Sequence, residues 1–287
     1  TRSKAEPLEK AGAVLVDSPA DLSGVDVLAT MVSTGRDVEE LYFGEVGVLS
    51  GGGVPKIFLD FSSIGVDQSA EIRSRLLEVG AQLVCCPVSG NGKCVKAGKL
   101  SAVASGPEDI FKQVEEIISK IAVMGVSYVG EGELARFCKI AHNVMLGVVT
   151  QNLAEITILA QKAGVPRQAF LDFMNNSVMG SVFTRYKTNA FINLDWTTTF
   201  TPALLRKDLD LGLAAGRELN VPMPVTATTR EALQAHFGAA SLKNDPAAYL
   251  EEDFAAILET VALGAGIELE SENTPYPTGL EVPQAAE

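Results

Sequence analysis

Histidine is almost missing from this chain, with two residues in 287, and cysteine occurs only four times. Cys85, Cys86, Cys94 and Cys138 form no C-x-x-C pair, and His142 and His236 stand far apart, so the ligand spacing of a zinc site is lacking. Thiols with no disulfide framework suit buried positions in a reducing compartment. Positive charge is also short: 23 Lys and Arg against 36 Asp and Glu leave a net charge of −13. That balance argues against nucleic acid and anionic membrane surfaces as partners. A local basic pocket can still hold an anionic substrate. No stretch reads as long and apolar enough to span a bilayer. The opening residues "TRSKAEPLEK" lack the apolar centre of a secretory signal. Together these absences lead to the expectation of a cytoplasmic protein with no membrane partner.

What is present supports a sizeable core, since hydrophobic residues make up 47% and charged residues 21%. The length allows two domains. Up to about Gly130 short apolar runs alternate with amphipathic ones. "AVLV" (13–16), "DVLATMV" (26–32), "KIFLDFSS" (56–63), "QLVCCPVSG" (82–90), "LSAVASG" (100–106) and "VSYVG" (126–130) read as strands. "DVEELYFG", "DQSAEIRSRLLEVG" and "PEDIFKQVEEIISKI" read as helices between them. Strands alternating with helices predict a parallel α/β sheet. After Gly130 the period changes. One long helical pattern runs from Glu131 to about Ala163, and "VPRQAFLDFMNN", "TPALLRKDLDLGLAAGREL", "PVTATTREALQAHFGA" and "PAAYLEEDFAAILETVALGA" continue in helical spacing. The predicted organisation is an α/β domain over 1–130, an all-α domain over 131–270 and a loose polar tail over 271–287.

Within the long helix stands Lys139, in the stretch "ARFCKIAHNVMLG". Asn143 lies one turn on, and the same face continues through Gly132, Arg136, Leu146, Gly147, Thr150, Ala154 and Thr157. This is a small-residue face with a cation and an amide in its middle, which lets a backbone or a ligand approach closely. Two readings stand side by side. Lys139 can snorkel at the rim of a packing surface. Alternatively, a partly desolvated lysine beside a cleft has a lowered pKa and can exchange a proton near neutral pH. Two turns bear on the choice. "PVSGNG" (87–92) ends a strand with a hydroxyl and exposed backbone N–H groups that can hold a carboxylate or phosphate, or is an ordinary strand-end turn. "LDFSS" puts Ser62 and Ser63 at another strand end, where open parallel sheets bind ligands, or where a helix needs its N-cap.

Taken in order, strand–DFSSI, strand–PVSG, G-E-G-x(6)-K-x(3)-N and F-T-P-A-L-L-R-K-D-L resemble the β-hydroxyacid dehydrogenase family. Its members include 3-hydroxyisobutyrate dehydrogenases, tartronate semialdehyde reductases and glyoxylate/succinic semialdehyde reductases. The likeness runs from the first residues to about Gly266. It implies a Rossmann-type NAD(P)-binding domain followed by an all-α domain, joined through the long helix. It further implies that Lys139 is the catalytic lysine and Asn143 its neighbouring amide. By the same resemblance Ser89 and Gly90 hold the substrate carboxylate, with Asn91 beside them. Ser63 lies near the nicotinamide, Met31 and Val32 line the cofactor pocket, and Lys207, next to Asp208, closes over cofactor and substrate. A small anionic hydroxy acid or semialdehyde is the implied substrate, and a homodimer or homotetramer through the helical domain the implied assembly.

The chain departs from the pattern in places. Asn91 replaces a frequent glycine and offers a further side chain, with an amide donor, at the substrate turn; Cys85 replaces a frequent acidic residue; His142 stands where a second Asn is common. No G-x-G-x-x-G follows a strand and opens a helix. By the resemblance Thr1 stands at the end of the family's second strand. The expectation is therefore that one βα unit, about 30 residues with the Gly-rich turn, precedes it in the working protein. "TRSK" then falls at the adenosine ribose, where Thr1 and Arg2 suit a 2′-phosphate and predict NADP over NAD. Two rival readings are an imine reductase, against which Lys139 counts, and a non-catalytic dehydrogenase-like module, against which Lys139, Asn143 and Lys207 count.

Overall fold

The computed structural model describes residues 2–281. In chain order the elements are α1 (Arg2–Lys10), β1 (Val27–Thr30), α2 (Gly35–Phe43), β2 (Ile57–Asp60), α3 (Val66–Glu78), β3 (Gln82–Cys85), β4 (Val88–Ser89), α4 (Gly92–Lys96), β5 (Ser101–Ala104), α5 (Glu108–Ile121) and β6 (Val126–Tyr128). There follow α6 (Leu134–Lys162), α7 (Arg167–Asn176), α8 (Val182–Asn193), α9 (Pro202–Glu218), α10 (Pro224–Ala240), α11 (Pro246–Leu250) and α12 (Ile257–Gly264). The residues divide into two compact units. One holds the chain up to Ser89 together with Ser101–Lys139, the other Gly90–Leu100 together with everything from Ile140. The change of unit thus falls nine residues later than the period change at Gly130, inside α6, and a short excursion around α4 joins the second unit.

The first unit is a Rossmann-type sheet. β1, β2 and β3 pair in parallel, in register Leu28↔Phe58↔Leu83. β2 is buried at every position, as expected of a strand covered on both faces. The helices α2 and α3 set Val38, Tyr42, Ile72 and Leu76 against Leu28, Phe58 and Leu83 in one apolar cluster. A second three-stranded sheet, β4-β5-β6, adds one antiparallel pair to this parallel architecture. After β3 the chain passes Pro87, which has no N–H to give a ladder, and β4 pairs antiparallel with β5. Cys85 and Ser105 exchange both backbone bonds at 2.9 Å, and β6 then pairs parallel with β5.

Two expectations at the beginning of the chain fail. "AVLV" forms no strand: Val14 is 88% exposed, and among the described residues no strand pairs with it. An apolar run becomes a strand only where a partner takes its backbone groups. Thr1 lies outside the described residues. Arg2, Ser3 and Lys4 open α1 instead of ending a strand; no β-branched residue stands between Arg2 and Lys10 to oppose helix.

The second unit is helical. α6 is 29 residues long and, by length and composition alone, could cross a membrane, contrary to the sequence expectation; half of its apolar window is buried in the protein, as in a core helix. Leu153, Ala154 and Ile158 of α6 pack with Leu171, Phe191, Leu205, Leu209, Leu233, Phe254 and Leu258. α9 lies close along α6 because two positions carry no side chain. A Cβ on Gly147 would stand 2.9 Å from Leu209 Cδ2, and one on Gly212 would stand 2.2 Å from Val144 Cγ2. Cys85, Cys86 and Cys94 are buried as expected, whereas Cys138 is exposed.

Two further features escaped the sequence. α8 was not expected: it buries Thr184, Lys187 and Thr188 together with Ala190, Phe191 and Ile192, so its apolar pattern is broken by polar residues. It begins in a capping box: Ser181 accepts from Thr184 N at 3.1 Å, while Thr184 Oγ1 accepts from Ser181 N at 2.8 Å. Its Lys187 pairs with Asp253 at 2.5 Å in the interior. The tail, up to Glu281, is fastened rather than loose. Glu272 accepts from Arg167 N (2.8 Å) and Gln168 N (3.0 Å), capping α7, which starts at a proline and has no cap of its own. Asn193 exchanges two bonds with Thr274, at 2.9 and 2.8 Å.

Candidate functional site

At the carboxyl ends of β1 and β2, where open α/β sheets bind ligands, a buried polar network fixes two loops. Asp60 is its centre. Oδ1 accepts from Thr30 Oγ1 (2.9 Å) and from Ser62 N (3.2 Å) and Oγ (2.7 Å). Since Thr30 gives its hydrogen to Asp60, the Tyr42 hydroxyl donates to Thr30 at 2.6 Å. Likewise Ser62 Oγ, having donated, accepts from Val32 N at 2.9 Å. Arg136 of α6 completes the set. Its guanidinium donates to Asp60 Oδ2 (2.6 Å), the Ser62 carbonyl (2.5 Å) and Ser69 Oγ (3.0 Å). Both side chains of this ion pair are only 1% exposed. Of the residues expected at the cofactor, Met31 is 69% exposed in the loop after β1, Val32 is half-buried and tied to Ser62, and Ser63 is half-buried next to it.

A second network holds the first turn of α6. Arg73 donates to Glu133 Oε1 (2.6 Å), to the Leu83 carbonyl (2.7 Å) and to the Gly132 carbonyl (2.9 Å). Ser69 donates to the other Glu133 oxygen. Burial pushes the Glu133 carboxyl up, but the bonds from Arg73 and Ser69 outweigh it and leave its pKa below the usual carboxylate value. Burial raises the pKa of the Cys85 thiol, which sits against Arg73 and Glu133, and that thiol is therefore held protonated. Ser105 Oγ accepts from Ala135 N at 3.0 Å and donates to the Gly132 carbonyl at 2.7 Å. Lys139 stands half-buried one turn beyond Arg136 on this anchored helix.

In the helical unit, Asn143 is buried and donates through Nδ2 to Asp208 Oδ2 at 2.6 Å. That bond fixes which end of the amide is which, so its oxygen meets His142 Nδ1 at 2.9 Å. A carbonyl oxygen only accepts, so Nδ1 of His142 carries the hydrogen. Lys207, with its side chain 34% exposed, lies 3.3 Å from Asp208 Oδ1. Asp208 thus joins Asn143 and Lys207, and His142 is held through Asn143. At the other turn, Gly90 has φ 132°, and a Cβ there would stand 2.8 Å from both Cys94 Cβ and Leu100 Cδ1. Ser89 is half-buried beside it. Asn91 is the N-cap of α4, its Oδ1 accepting from Lys93 N (2.9 Å) and Cys94 N (3.2 Å). Its oxygen is committed to the cap, so only its –NH2 end can serve a ligand.

The sequence reading missed Asp60, Arg73 and Glu133, and noted Arg136 only as part of a helix face. Their signal is faint, because a lone Asp at a strand end and a lone Arg in a helix look solvated until the fold brings them together. Met31, Val32 and Ser63 at these strand ends carry no charge, and Ser63 brings a hydroxyl.

Comparison with known proteins agrees with this fold. The family model of the NAD binding domain of 6-phosphogluconate dehydrogenase matches residues 1–130. That of the NAD-binding domain of NADP-dependent 3-hydroxyisobutyrate dehydrogenase matches residues 133–252. The chain is 30% identical to 2-(hydroxymethyl)glutarate dehydrogenase of Eubacterium barkeri, over 70% of this chain and 67% of that protein. It is 29% identical to the cytokine-like nuclear factor N-PAC of Mus musculus, over 78% of this chain and 41% of that one. The chain therefore spans well under half the length of that nuclear factor. Among solved structures, 3-hydroxyisobutyrate dehydrogenase of Salmonella typhimurium superposes with a TM-score of 0.78 at 24% identity, covering 90% of this chain and 88% of the other. Psf3, solved with NADP+ and 2-OPP, superposes with a TM-score of 0.77 at 20% identity, covering 91% and 89%. At these identities the two structures speak for the fold alone.

Proposed function

The chain belongs to the β-hydroxyacid dehydrogenase family, a family of NAD(P)-dependent oxidoreductases, and on that premise we propose that the whole protein interconverts a small 3-hydroxy acid and its semialdehyde or keto form. Bound nicotinamide supplies the hydride chemistry. The chain's own residues supply geometry and proton transfer. Lys139 gives a proton to the substrate oxygen during reduction and takes one during oxidation. Asn143, its orientation fixed by Asp208, offers an amide to the substrate oxygen. Ser89 and the backbone at Gly90 hold the carboxylate, and Lys207 adds positive charge. Ser63 and the Met31–Val32 loop border the nicotinamide.

The observation that carries this reading is the half-buried Lys139, one helical turn after Arg136, whose guanidinium is bonded to Asp60 at the end of β2. The test is a screen of the purified protein against hydroxy acids and semialdehydes, with Lys139→Ala as control. We expect turnover to fall by about 10²–10⁴ with dinucleotide affinity little changed. Activity within a few-fold of the parent sinks the assignment. Lys139→Arg also fails on this reading, because a guanidinium does not give up its proton near neutral pH.

The preference between dinucleotides rests on the basic residues that open α1 and follows as part of the proposal: kcat/KM is higher with NADPH than with NADH. Equal values overturn it. The protein is also proposed to self-associate through its helical unit, supported by exposed Met145, Leu159, Val178 and Met179. Light scattering at micromolar concentration checks this, and a monomer contradicts it. Imine reductases share the fold, one from a Pseudomonas species superposing with a TM-score of 0.52 at 17% identity. Cyclic imines belong in the same screen, and turnover of those alone favours that chemistry. The similarity to N-PAC nuclear factors favours a second reading, a non-catalytic binding module. Dinucleotide binding without turnover of any substrate class supports it.

A further inference from the structure

We propose that Arg136 is a positioning residue that sets the turn of α6 carrying Lys139 in fixed register with the two strand-end loops that border the nicotinamide. This rests on the reading just given, in which those loops meet the cofactor and Lys139 moves the proton.

The inference comes from where the three arms of one guanidinium go. Nη2 reaches the Asp60 carboxylate that ends β2, Nη1 reaches the carbonyl of Ser62 in the following turn, and Nε reaches Ser69 in α3. Asp60 in turn takes the hydroxyls of Thr30, at the end of β1, and of Ser62. Ser62 Oγ receives Val32 N from the loop after β1. Each loop expected at the cofactor is therefore one or two hydrogen bonds from Arg136. Lys139 is three residues further along the same helix, on the same face. A shift of α6 along its axis would have to break all three bonds, in a place with no water to replace them.

A purely structural role is served less expensively by an apolar pair, since a buried ion pair is often no more stabilising than well-packed apolar residues of similar volume. What an apolar pair lacks is direction. A planar fork with fixed donor angles holds three acceptors at set positions, and a lysine ammonium does not reproduce this. Proton transfer and hydride transfer both depend on placement at this scale, where an error of about 1 Å costs of order 10²-fold.

The experiment compares the parent protein with Arg136→Lys and with the apolar pair Asp60→Leu/Arg136→Met. The pair is included because loss of one partner alone strands a buried charge and confounds folding with positioning. Thermal unfolding, dinucleotide Kd by nicotinamide fluorescence, and kcat and substrate KM are measured for each. We expect both variants to fold, dinucleotide Kd to rise at least tenfold, and kcat to fall of order 10²-fold. KM for the substrate should stay within about threefold, a split that general loosening would not produce. Parent-like Kd and kcat in a folded apolar pair overturn the inference, as does a drop in thermal stability with no change in either. If the parent turns over no hydroxy acid, the functional reading fails, and dinucleotide Kd still decides whether Arg136 orders the loops. A parent that binds neither NADH nor NADPH overturns both.

Discussion

The first six residues of α6 and the rest of the same helix are held by different physics. Leu134–Lys139 is fixed by charge and hydrogen bonds: Arg136 with Asp60, Glu133 with Arg73 and Ser69, and Ser105 on the opening turn. From Ile140 onward the helix is fixed mainly by shape, through Gly147 and Gly212 and the apolar side chains around Leu205 and Leu209, with polar ties at Asn143–Asp208 and, at its far end, Gln161–Arg167 and Lys162–Ala265. Directional bonds suit a segment that must present one side chain at one place. Close packing suits a segment whose task is to bury area, because dispersion and apolar burial are insensitive to direction. The two kinds of anchor should therefore fail in different ways.

The largest effect is expected from Asp60→Ala. It leaves the Arg136 charge buried without its carboxylate, and a loss of about 3–5 kcal/mol follows from stranding one partner of a buried pair. Urea unfolding measures it, and a loss under 1 kcal/mol would mean that water reaches the guanidinium. Gly212→Val tests the shape side. Its new methyl groups overlap Val144, and overpacking of this kind costs about 1–3 kcal/mol. Val144→Ala in the same chain should restore at least half of that stability. Failure to rescue would place the clash elsewhere.

Acid should separate the regions next. His236 is fully buried in the helical unit, its Nδ1 2.9 Å from Thr260 Oγ1 and its ring 4.9 Å from Tyr249, with Glu259 and Lys243 nearby. Burial lowers its pKa from 6.5 to about 4. The unfolded chain therefore takes up this proton first as the pH falls. The stability contribution is complete above 6.5 and is lost on the way down to about 4, amounting to about 2 kcal/mol by pH 5. Glu133 acts in the same sense but at lower pH. Its folded pKa is lowered, so its contribution is present above the ordinary carboxylate value and is lost only as pH falls below it. Hydrogen exchange at pH 7 and pH 5 should show helical-unit amides opening first. His236→Asn should flatten that difference, and equal loosening of both units would contradict it. The smallest expected effect is at the cap of α8: Ser181→Ala removes one side-chain bond and costs about 1 kcal/mol in thermal unfolding.

Much of the fold could be read directly because it rests on periodicity. β2 and β3 are continuous apolar runs, α5 and α9 carry proline at or next to their starts, and the long helix declares itself by length. α8 was not read, because beside Ala190, Phe191 and Ile192 it buries threonines and a lysine whose partner, Asp253, is 66 residues away. The "AVLV" run misled for the converse reason: local propensity was right for a strand, but nothing pairs with it among the described residues. The order of Lys139, Asn143, Ser89 and Lys207 could be read because their spacing in motifs is local. Their supports could not, since Asp60 and Arg136 are 76 residues apart.

By itself the sequence determined most of the elements and on which of them the candidate residues ride, because helix and strand periods and turn residues act over a few positions. Only the tertiary structure decided how those residues are held. A carboxylate becomes the centre of a buried network, and a glycine becomes a point of contact between two helices, only when chain segments far apart in sequence exclude water together. The strength of a polar bond and the cost of an unmatched one both depend on that exclusion.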